Sequence, residues 1–113
     1  MTVKELIPTP KDKVHFQLAS YKFIPKKSGC YILTTFDNDI LYIGLSTNLY
    51  DRFQQHLCDS EKTKHTKDGK AFWFYYMEYD LKKLQQLERT WINHFKAMHG
   101  RFPILNKVNS PLS

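Results

Sequence analysis

Six polar residues of types that could support chemistry lie on or beside hydrophobic segments of the sequence. They are Tyr31, Tyr42, Arg52, His56, Glu88 and Asn106. Arg52 and His56 are four residues apart in a predicted helix, so they project from one side of it. A second predicted helix places Glu88 among apolar side chains, where a charge is costly unless it meets a cation or a metal ion. Glu88 is therefore either a ligand for a cation or half of a salt bridge, for example with Arg89 or Lys96.

A β-hairpin is predicted to carry the two tyrosines. The runs "CYILTTF" and "ILYIG" are rich in β-branched and aromatic residues and flank the polar residues "DND". A two-residue turn at positions 38 and 39 would pair Thr35 with Tyr42. Tyr31 and Tyr42 would then lie on one face of the hairpin, whereas a three-residue turn would place them on opposite faces. We expect the shared face.

Two helices are predicted to position the other polar residues. In "STNLYDRFQQHL", Leu49, Phe53 and Leu57 recur at helical spacing after residues that favour helix N-termini. A longer helix is predicted from an N-cap at Asp80 to a point near Gly100. Its predicted apolar stripe consists of Leu81, Leu84, Leu87, Trp91, Ile92, Phe95 and Met98. At about 100° per residue, Glu88 falls inside this stripe.

The remaining segments carry weaker signals. Residues 71–79 are almost wholly aromatic or apolar and predict a buried strand. The lysine-rich segment 58–70 has no apolar period and predicts a mobile loop. Three prolines break regular structure in residues 1–28, although "VHFQLASYKF" is compatible with a short helix or an edge strand.

Composition predicts one compact α+β domain, since the chain has 113 residues with 42% hydrophobic and 15% aromatic content. The net charge of +6 favours a polyanion such as nucleic acid. Cys30 and Cys58 are too few for a disulfide framework, and no run approaches the roughly 20 apolar residues of a membrane helix. We therefore expect a soluble, intracellular, cytoplasmic protein with no membrane partner.

Taken in order, these motifs resemble the GIY-YIG endonuclease family. "GCY" at residues 29–31 corresponds to the first signature triplet and "YIG" at residues 42–44 to the second, so Gly29 and Gly44 are the signature glycines. Cys30 replaces the usual aliphatic residue at a position that we expect to be buried. Leu45 follows the second triplet where excision-repair members of the family carry a lysine.

The likeness covers residues 29–107. It continues through Arg52 and His56 in "NLYDRFQQH", Glu88 in "LERTW" and Asn106 in "PILNK". It implies a small, mainly antiparallel three-stranded sheet flanked by α-helices. Residues 1–28 would be an extension that is packed on this domain or partly irregular, and residues 108–113 would be a C-terminal tail.

The resemblance implies hydrolysis of a DNA phosphodiester bond with one divalent ion, Mg²⁺ or Mn²⁺. Glu88 is the implied metal ligand, and Arg52 would hold the phosphate. Tyr42 would activate the attacking water with help from Tyr31, although a free tyrosine has a pKa of about 10 and needs nearby positive charge for this role. His56 is the competing base, and the sequence does not decide between the two.

Asn106 is expected to brace the site without a chemical step. Five residues of the loop are either solvated or contact DNA phosphates. These are Lys62, Lys64, His65, Lys67 and Lys70.

Two other functions remain open from the sequence. One is a non-catalytic nucleic-acid-binding module of the same fold, targeted by a partner protein, and the other is a nuclease directed at RNA. Members of the family act in excision repair, intron homing, restriction and branched-DNA resolution, and many use a second domain to choose the target. This chain would instead use a partner protein, a second copy of itself or its own loop.

Overall fold

The computed structural model describes residues 1–106, so the predicted C-terminal tail lies outside the described residues. Four strands form one sheet: β1 (Asp12–His15), β2 (Gly29–Thr34), β3 (Ile40–Ser46) and β4 (Trp73–Glu78). The α-helices are α1 (Leu49–Leu57), α2 (Ser60–Thr63) and α3 (Leu84–His99), and short 3-10 helices cover Val3–Glu5, Leu18–Phe23 and Leu81–Lys83. The strand order is β1-β4-β2-β3, and every neighbouring pair is antiparallel. The predicted α+β class and antiparallel sheet are confirmed.

The sheet has four strands rather than the predicted three. The extra strand is β1, which pairs with β4 in the register Lys13↔Tyr75. Both structures compatible with this segment form, since the edge strand β1 is followed by a short 3-10 helix at Leu18–Phe23. A four-residue strand between prolines has too short an apolar pattern to be identified alone, and it becomes stable by pairing with the backbone of β4.

The predicted hairpin forms with a different turn. Thr35 donates its backbone N–H to Asp39 O at 3.0 Å and accepts from Asn38 N at 3.0 Å, which leaves three residues between Thr35 and Asp39. Asn38 adopts the left-handed conformation, with φ of 72°. The predicted two-residue turn is therefore wrong, because Asn38 takes a positive φ that completes a longer turn.

A β-bulge nevertheless keeps the two tyrosines on the same face. Leu33 pairs with Tyr42 and Thr34 pairs with Ile40, so Leu41 is an extra residue in β3. Without the bulge, the three-residue turn would place Tyr31 and Tyr42 on opposite faces of the hairpin. The extra residue shifts the register by one and returns both tyrosines to the same face. The predicted shared face is confirmed, although the predicted pairing of Thr35 with Tyr42 is wrong.

Each face of the sheet has its own buried cluster. One cluster lies on the side of α3 and includes Cys30, Ile32 and Trp91. The other lies on the side of α1 and includes Tyr31, Leu33 and further aromatic residues. Alternate residues of β2 thus enter different clusters, as the pleat of a strand requires. Cys30 is fully buried, as expected.

The long helix begins later than predicted. The Asp80 side chain accepts from Lys82 N at 3.0 Å and caps a 3-10 turn, and α3 begins only at Leu84. Leu81 is 58% exposed and Met98 59% exposed, so the ends of the predicted stripe are wrong. Leu81 precedes the α-helical turns and lies off their buried face, since a 3-10 turn has a different period.

The segment predicted to be a mobile loop is more regular than expected. The Asp59 side chain accepts from Glu61 N at 2.9 Å and caps α2. Thr66 and Gly69 then exchange two backbone hydrogen bonds of 3.0 Å. The cap and this tight turn stabilise a segment that has no apolar periodicity. Among residues 1–106, no helix is long and apolar enough to cross a membrane.

Candidate active site

Tyr31 and Tyr42 lie against each other on the side of the sheet that α1 covers. Their ring centroids are 6.0 Å apart, and Gly44 is the residue paired with Tyr31 across the hairpin. A Cβ atom at Gly44 would lie 2.6 Å from the Tyr31 hydroxyl oxygen and 2.8 Å from the Tyr42 ring. The second signature glycine therefore leaves the space that the Tyr31 side chain occupies.

Gly29 has a different role. A Cβ atom there would collide with the carbonyl oxygen of Met77 on β4 and would lie 2.8 Å from the Leu49 side chain of α1. The first signature glycine thus permits the close approach of neighbouring elements around the start of β2.

His56 completes a cluster of three polar rings. It is buried on the inner face of α1, and its ring centroid is 5.3 Å from both the Tyr31 and the Tyr42 rings. The Tyr31 hydroxyl and His56 Nε2 share a hydrogen bond of 2.5 Å. Burial, followed by the charges of Lys62 and Arg52, lowers the pKa of His56 to about 4. His56 is therefore neutral at neutral pH.

Tyr31 keeps its proton at neutral pH. Burial raises its pKa well above the ordinary value, and the neighbouring Tyr42, including a hydrogen bond to it, acts in the same direction. Tyr31 is consequently a neutral phenol that is hydrogen-bonded to His56 while its ring lies against that of Tyr42.

Lys62 lies beside this cluster. Its Nζ is 4.7 Å from the centroid of the Tyr42 ring and 3.8 Å from a carboxylate oxygen of Asp59, and its side chain is only 12% exposed. From the sequence, Lys62 is predicted only as a solvated residue or a phosphate contact in a mobile loop. The helix N-terminus at "DSEK" is the signal that could have indicated an ordered position.

Arg52 is half-buried on α1. The start of that helix is capped by Asn48, whose side chain accepts from Asp51 N at 3.1 Å. The Arg52 guanidinium is close enough to Tyr31 and His56 to lower the pKa of both. The arginine and the polar rings therefore belong to one site.

Glu88 is buried within the apolar stripe of α3, as predicted, with 6% of its surface exposed. Burial raises the pKa of its carboxyl to about 7, and the charge of Arg89 acts in the opposite direction. The charge of Glu88 also contributes to raising the pKa of Tyr31 and of Cys30. The charge of Glu88 thus acts on Tyr31 although Glu88 comes from the helix on the other side of the sheet.

No hydrogen bond or ion pair to the Glu88 carboxylate occurs within residues 1–106, so neither predicted salt bridge forms there, and its oxygens keep some contact with solvent. In the same part of the chain, no three His, Cys, Asp or Glu side chains cluster as metal ligands. A single buried carboxylate is compatible with an ion such as Mg²⁺, which keeps several water ligands and binds one or two carboxylates together with substrate phosphate.

Asn106 pairs with the backbone of β3 between Tyr42 and Gly44. Its Nδ2 donates to Ile43 O at 2.9 Å, and its Oδ1 accepts from Ile43 N at 3.0 Å. Leu105 N donates to Leu41 O at 2.9 Å on the same strand. The end of the described chain therefore covers the free edge of β3 beside the tyrosines.

Comparison with protein families agrees with this geometry. The family model of the GIY-YIG catalytic domain matches residues 27–101. The chain belongs to the GIY-YIG family. Domains of this family have a nuclease-type fold, are usually nucleases and typically use divalent metals, and a nuclease domain implies DNA as the substrate. A search of curated proteins found no match to the chain.

The other loop residues predicted to contact DNA lie on the surface of this GIY-YIG domain. Lys64 forms an ion pair of 2.9 Å with Glu61. The side chains of His65, Lys67 and Lys70 are exposed. They remain predicted DNA contacts, whereas Lys62 lies against one of the signature tyrosines.

Proposed function

We propose that this GIY-YIG domain is a divalent-metal-dependent DNA endonuclease that hydrolyses phosphodiester bonds. The observation that carries the proposal is the buried hydrogen bond between Tyr31 and His56 beside the Tyr42 ring, flanked by Lys62 and Arg52. A site that combines polar rings with cationic side chains suits an anionic substrate whose attacking water must lose a proton.

Glu88 would hold the metal ion. Its carboxylate is buried near Tyr31 and has no protein partner within residues 1–106, so a cation there would relieve the cost of burying its charge. Bound Mg²⁺ or Mn²⁺ would supply polarisation of the phosphate and stabilisation of the leaving oxygen.

Arg52 would bind the phosphate. A guanidinium donates two parallel hydrogen bonds to two phosphate oxygens and opposes the charge of the transition state. Its half-buried place on α1, near both Tyr31 and His56, brings this planar group to the side of the polar rings. Partial burial also strengthens its attraction for an anion relative to a fully solvated side chain.

Tyr42 would activate the attacking water, in preference to His56. The Nε2 atom of His56 already hydrogen-bonds the Tyr31 hydroxyl, and a histidine with a pKa of about 4 is a weak base. Lys62 supplies positive charge beside the Tyr42 ring. Tyr31 would orient Tyr42, because its own proton is held firmly.

The proposal is tested by cleavage of supercoiled plasmid with purified protein in Mg²⁺ or Mn²⁺, with EDTA as a control. We expect nicked circles from the wild type in metal and none in EDTA. Glu88→Gln should abolish nicking, since it removes the ligand charge with little change of shape. Glu78→Gln is the matched control, because Glu78 is an exposed carboxylate that pairs only loosely with Lys27 at 3.9 Å.

Nicking by Glu88→Gln at the wild-type rate would contradict the role of Glu88. Intact plasmid with the folded wild type, together with binding of branched DNA, would favour the non-catalytic binding module instead. Because one site cuts one strand, nicked circles should precede linear plasmid. Linear product without a nicked intermediate would indicate that two copies act together.

A further inference from the structure

A second concave region lies at the end of the sheet that carries the β2–β3 turn. It is a cleft of about 580 Å³, which we call the aromatic cleft. Among its lining residues are His15, Thr35, Phe36, Asp39, Lys70 and Phe72. This volume is within the usual range of roughly 300 to 1,000 Å³ for small-ligand sites. None of these residues has a part in the cleavage proposed above.

Three rings give the aromatic cleft an unusual wall. His15 stacks on Phe72 with ring centroids 4.1 Å apart and planes inclined by 18°. Phe36 meets Phe72 edge to face at 5.0 Å, yet 64% of Phe36 is exposed. A lone exposed phenylalanine needs no explanation. An exposed ring that joins two others at the rim of a cleft is a surface on which a flat ligand can stack.

The turn that presents Phe36 is held in place. Trp73 Nε1 donates to the Phe36 carbonyl oxygen at 3.1 Å, and the Tyr75 hydroxyl donates to the Asn38 side chain. The Thr35 hydroxyl oxygen accepts from Asp39 N at 3.1 Å. The exposed ring is therefore preorganised, which lowers the entropy cost of binding a ligand.

The loop segment that also lines the aromatic cleft, residues 68–71, is held in place as well. Asp68 accepts from Arg101 at 2.9 Å, which ties the loop before β4 to the end of α3. Gly69 lies so close to the turn that a Cβ atom there would be 2.7 Å from Thr35 Cγ2. The aromatic cleft thus lies between two structured segments rather than between free loops.

The charges around the aromatic cleft suit a nucleobase better than a phosphate inside it. Asp37 and Asp39 line the cleft and would repel a phosphate, but their oxygens can accept hydrogen bonds from the exocyclic amino groups of bases. Lys70 also lines the cleft, and Lys67 is exposed two residues from a further lining residue, Gly69. A base could stack inside while its phosphates remain near these lysines.

The aromatic cleft borders the buried cluster that contains the signature tyrosines. Two of its lining residues, Phe16 and Ala71, belong to the buried cluster that contains Tyr31 and Tyr42. Asp39 is three residues from Tyr42, which is about 10 Å along a strand at about 3.3 Å per residue. That distance corresponds to about three nucleotide steps at about 3.4 Å each.

We propose that the aromatic cleft binds an unpaired nucleobase of the DNA strand that is cut at the tyrosine site. The inference rests on the proposed function and adds a substrate class: DNA with a single-stranded segment a few nucleotides from the scissile phosphate. A base inside a duplex is already stacked and paired, so its faces are not available to Phe36 and Phe72.

The test measures binding in EDTA, so that cleavage plays no part. Fluorescence anisotropy compares a blunt duplex with the same duplex carrying a short single-stranded extension of deoxyadenosines. Base–aromatic stacking predicts that the wild type binds the extended DNA about tenfold more tightly than the blunt DNA. Phe36→Ala should reduce this ratio to near one. Met98→Ala, which removes a similarly exposed apolar side chain from α3, should preserve it.

A second readout locates the base. 2-Aminopurine placed in the extension should lose fluorescence on binding wild-type protein and should keep it on binding Phe36→Ala. Equal affinities for the two DNAs, or a preference that survives Phe36→Ala, would overturn the inference. Metal-dependent cleavage without this preference would refute the cleft alone, whereas the preference without metal-dependent cleavage of either the plasmid or the extended DNA would refute the proposed nuclease alone.

Discussion

On the side of the sheet that α1 covers, the buried polar groups contact one another, whereas on the side of α3 the Glu88 carboxylate has no hydrogen-bond partner within residues 1–106. The α1 side combines Tyr31, Tyr42 and His56 with the charge of Lys62. A connected polar network is rigid, and its hydrogen bonds offset much of the free-energy cost of burying it. A buried carboxylate without a partner, in contrast, lowers the stability of the folded protein. The contrast indicates that the α1 side is preorganised by the protein itself, while the α3 side would be completed by the cation proposed above.

The largest expected effect is on the α1 side. Tyr42→Phe removes only a hydroxyl, and loss of a general base typically lowers kcat by about 10² to 10⁴. We expect this decrease in single-turnover nicking of plasmid at saturating protein. Tyr50→Phe is a matched control on the same helix side of the sheet, because its ring packs edge to face on Tyr21 at 5.9 Å. A Tyr42→Phe variant within a few-fold of the wild type would transfer the role of base to another group.

The second largest effect is expected for the stability of the protein and concerns Glu88 on the α3 side of the sheet. Substitution there should increase stability, whereas Tyr42→Phe should decrease activity. The pKa of Glu88 is about 7 in the folded protein and ordinarily 4.5, so the folded state binds more protons between these values. The stability of metal-free protein should therefore fall as the pH rises from about 4.5 to about 7. Glu88→Gln should remove this loss and stabilise the protein by about 3 kcal/mol at pH 8.

Urea denaturation of wild type and Glu88→Gln in EDTA at pH 4 to 8 measures the difference. Subtracting the two curves removes the contribution of His56, whose lowered pKa makes stability fall as the pH decreases from 6.5 to about 4. The stability of Glu78→Gln should vary with pH in parallel with the stability of the wild type. A Glu88→Gln variant that is less stable than the wild type at pH 8 would show that the carboxylate has a stabilising partner, and would remove the contrast between the two sides.

Removing a hydroxyl from the α1 side should destabilise the protein. Tyr31→Phe leaves His56 Nε2 buried without its hydrogen bond, which costs about 1 to 3 kcal/mol. Thermal or urea unfolding at pH 7 measures this cost. The double variant Tyr31→Phe with His56→Phe should be less destabilised than the two single variants combined, because both hydrogen-bonding groups are then absent. Additive effects would contradict a connected network.

The smallest effect is expected at Lys62. Lys62→Met keeps the length of the side chain and removes its charge, so the positive field beside Tyr42 is weakened. We expect kcat to fall about tenfold, as a partly buried charge at such a distance contributes on the order of 1 kcal/mol. Lys64→Met is the control, since Lys64 pairs with Glu61 in solvent.

Much of the site could be predicted from local patterns. The order of the signature triplets, Arg52, His56 and Glu88 identified the family, and the family model confirms it. The position of Glu88 within the apolar stripe of α3 correctly predicted its burial, because helical periodicity depends only on neighbours in the chain. Predictions failed where geometry depends on distant residues. The turn at Asn38 and the short strand β1 are examples.

The sequence by itself determined the α+β class, the tyrosine hairpin, α1, the body of α3 and the buried acid, since each follows from periodicity, propensity or motif order. Only the tertiary structure decided that a bulge at Leu41 compensates for the longer turn. It alone placed Lys62 over Tyr42, Asn106 on the edge of β3, and Phe36 beside Phe72. These contacts join residues far apart in the chain, and packing of the whole domain selects them rather than any local preference.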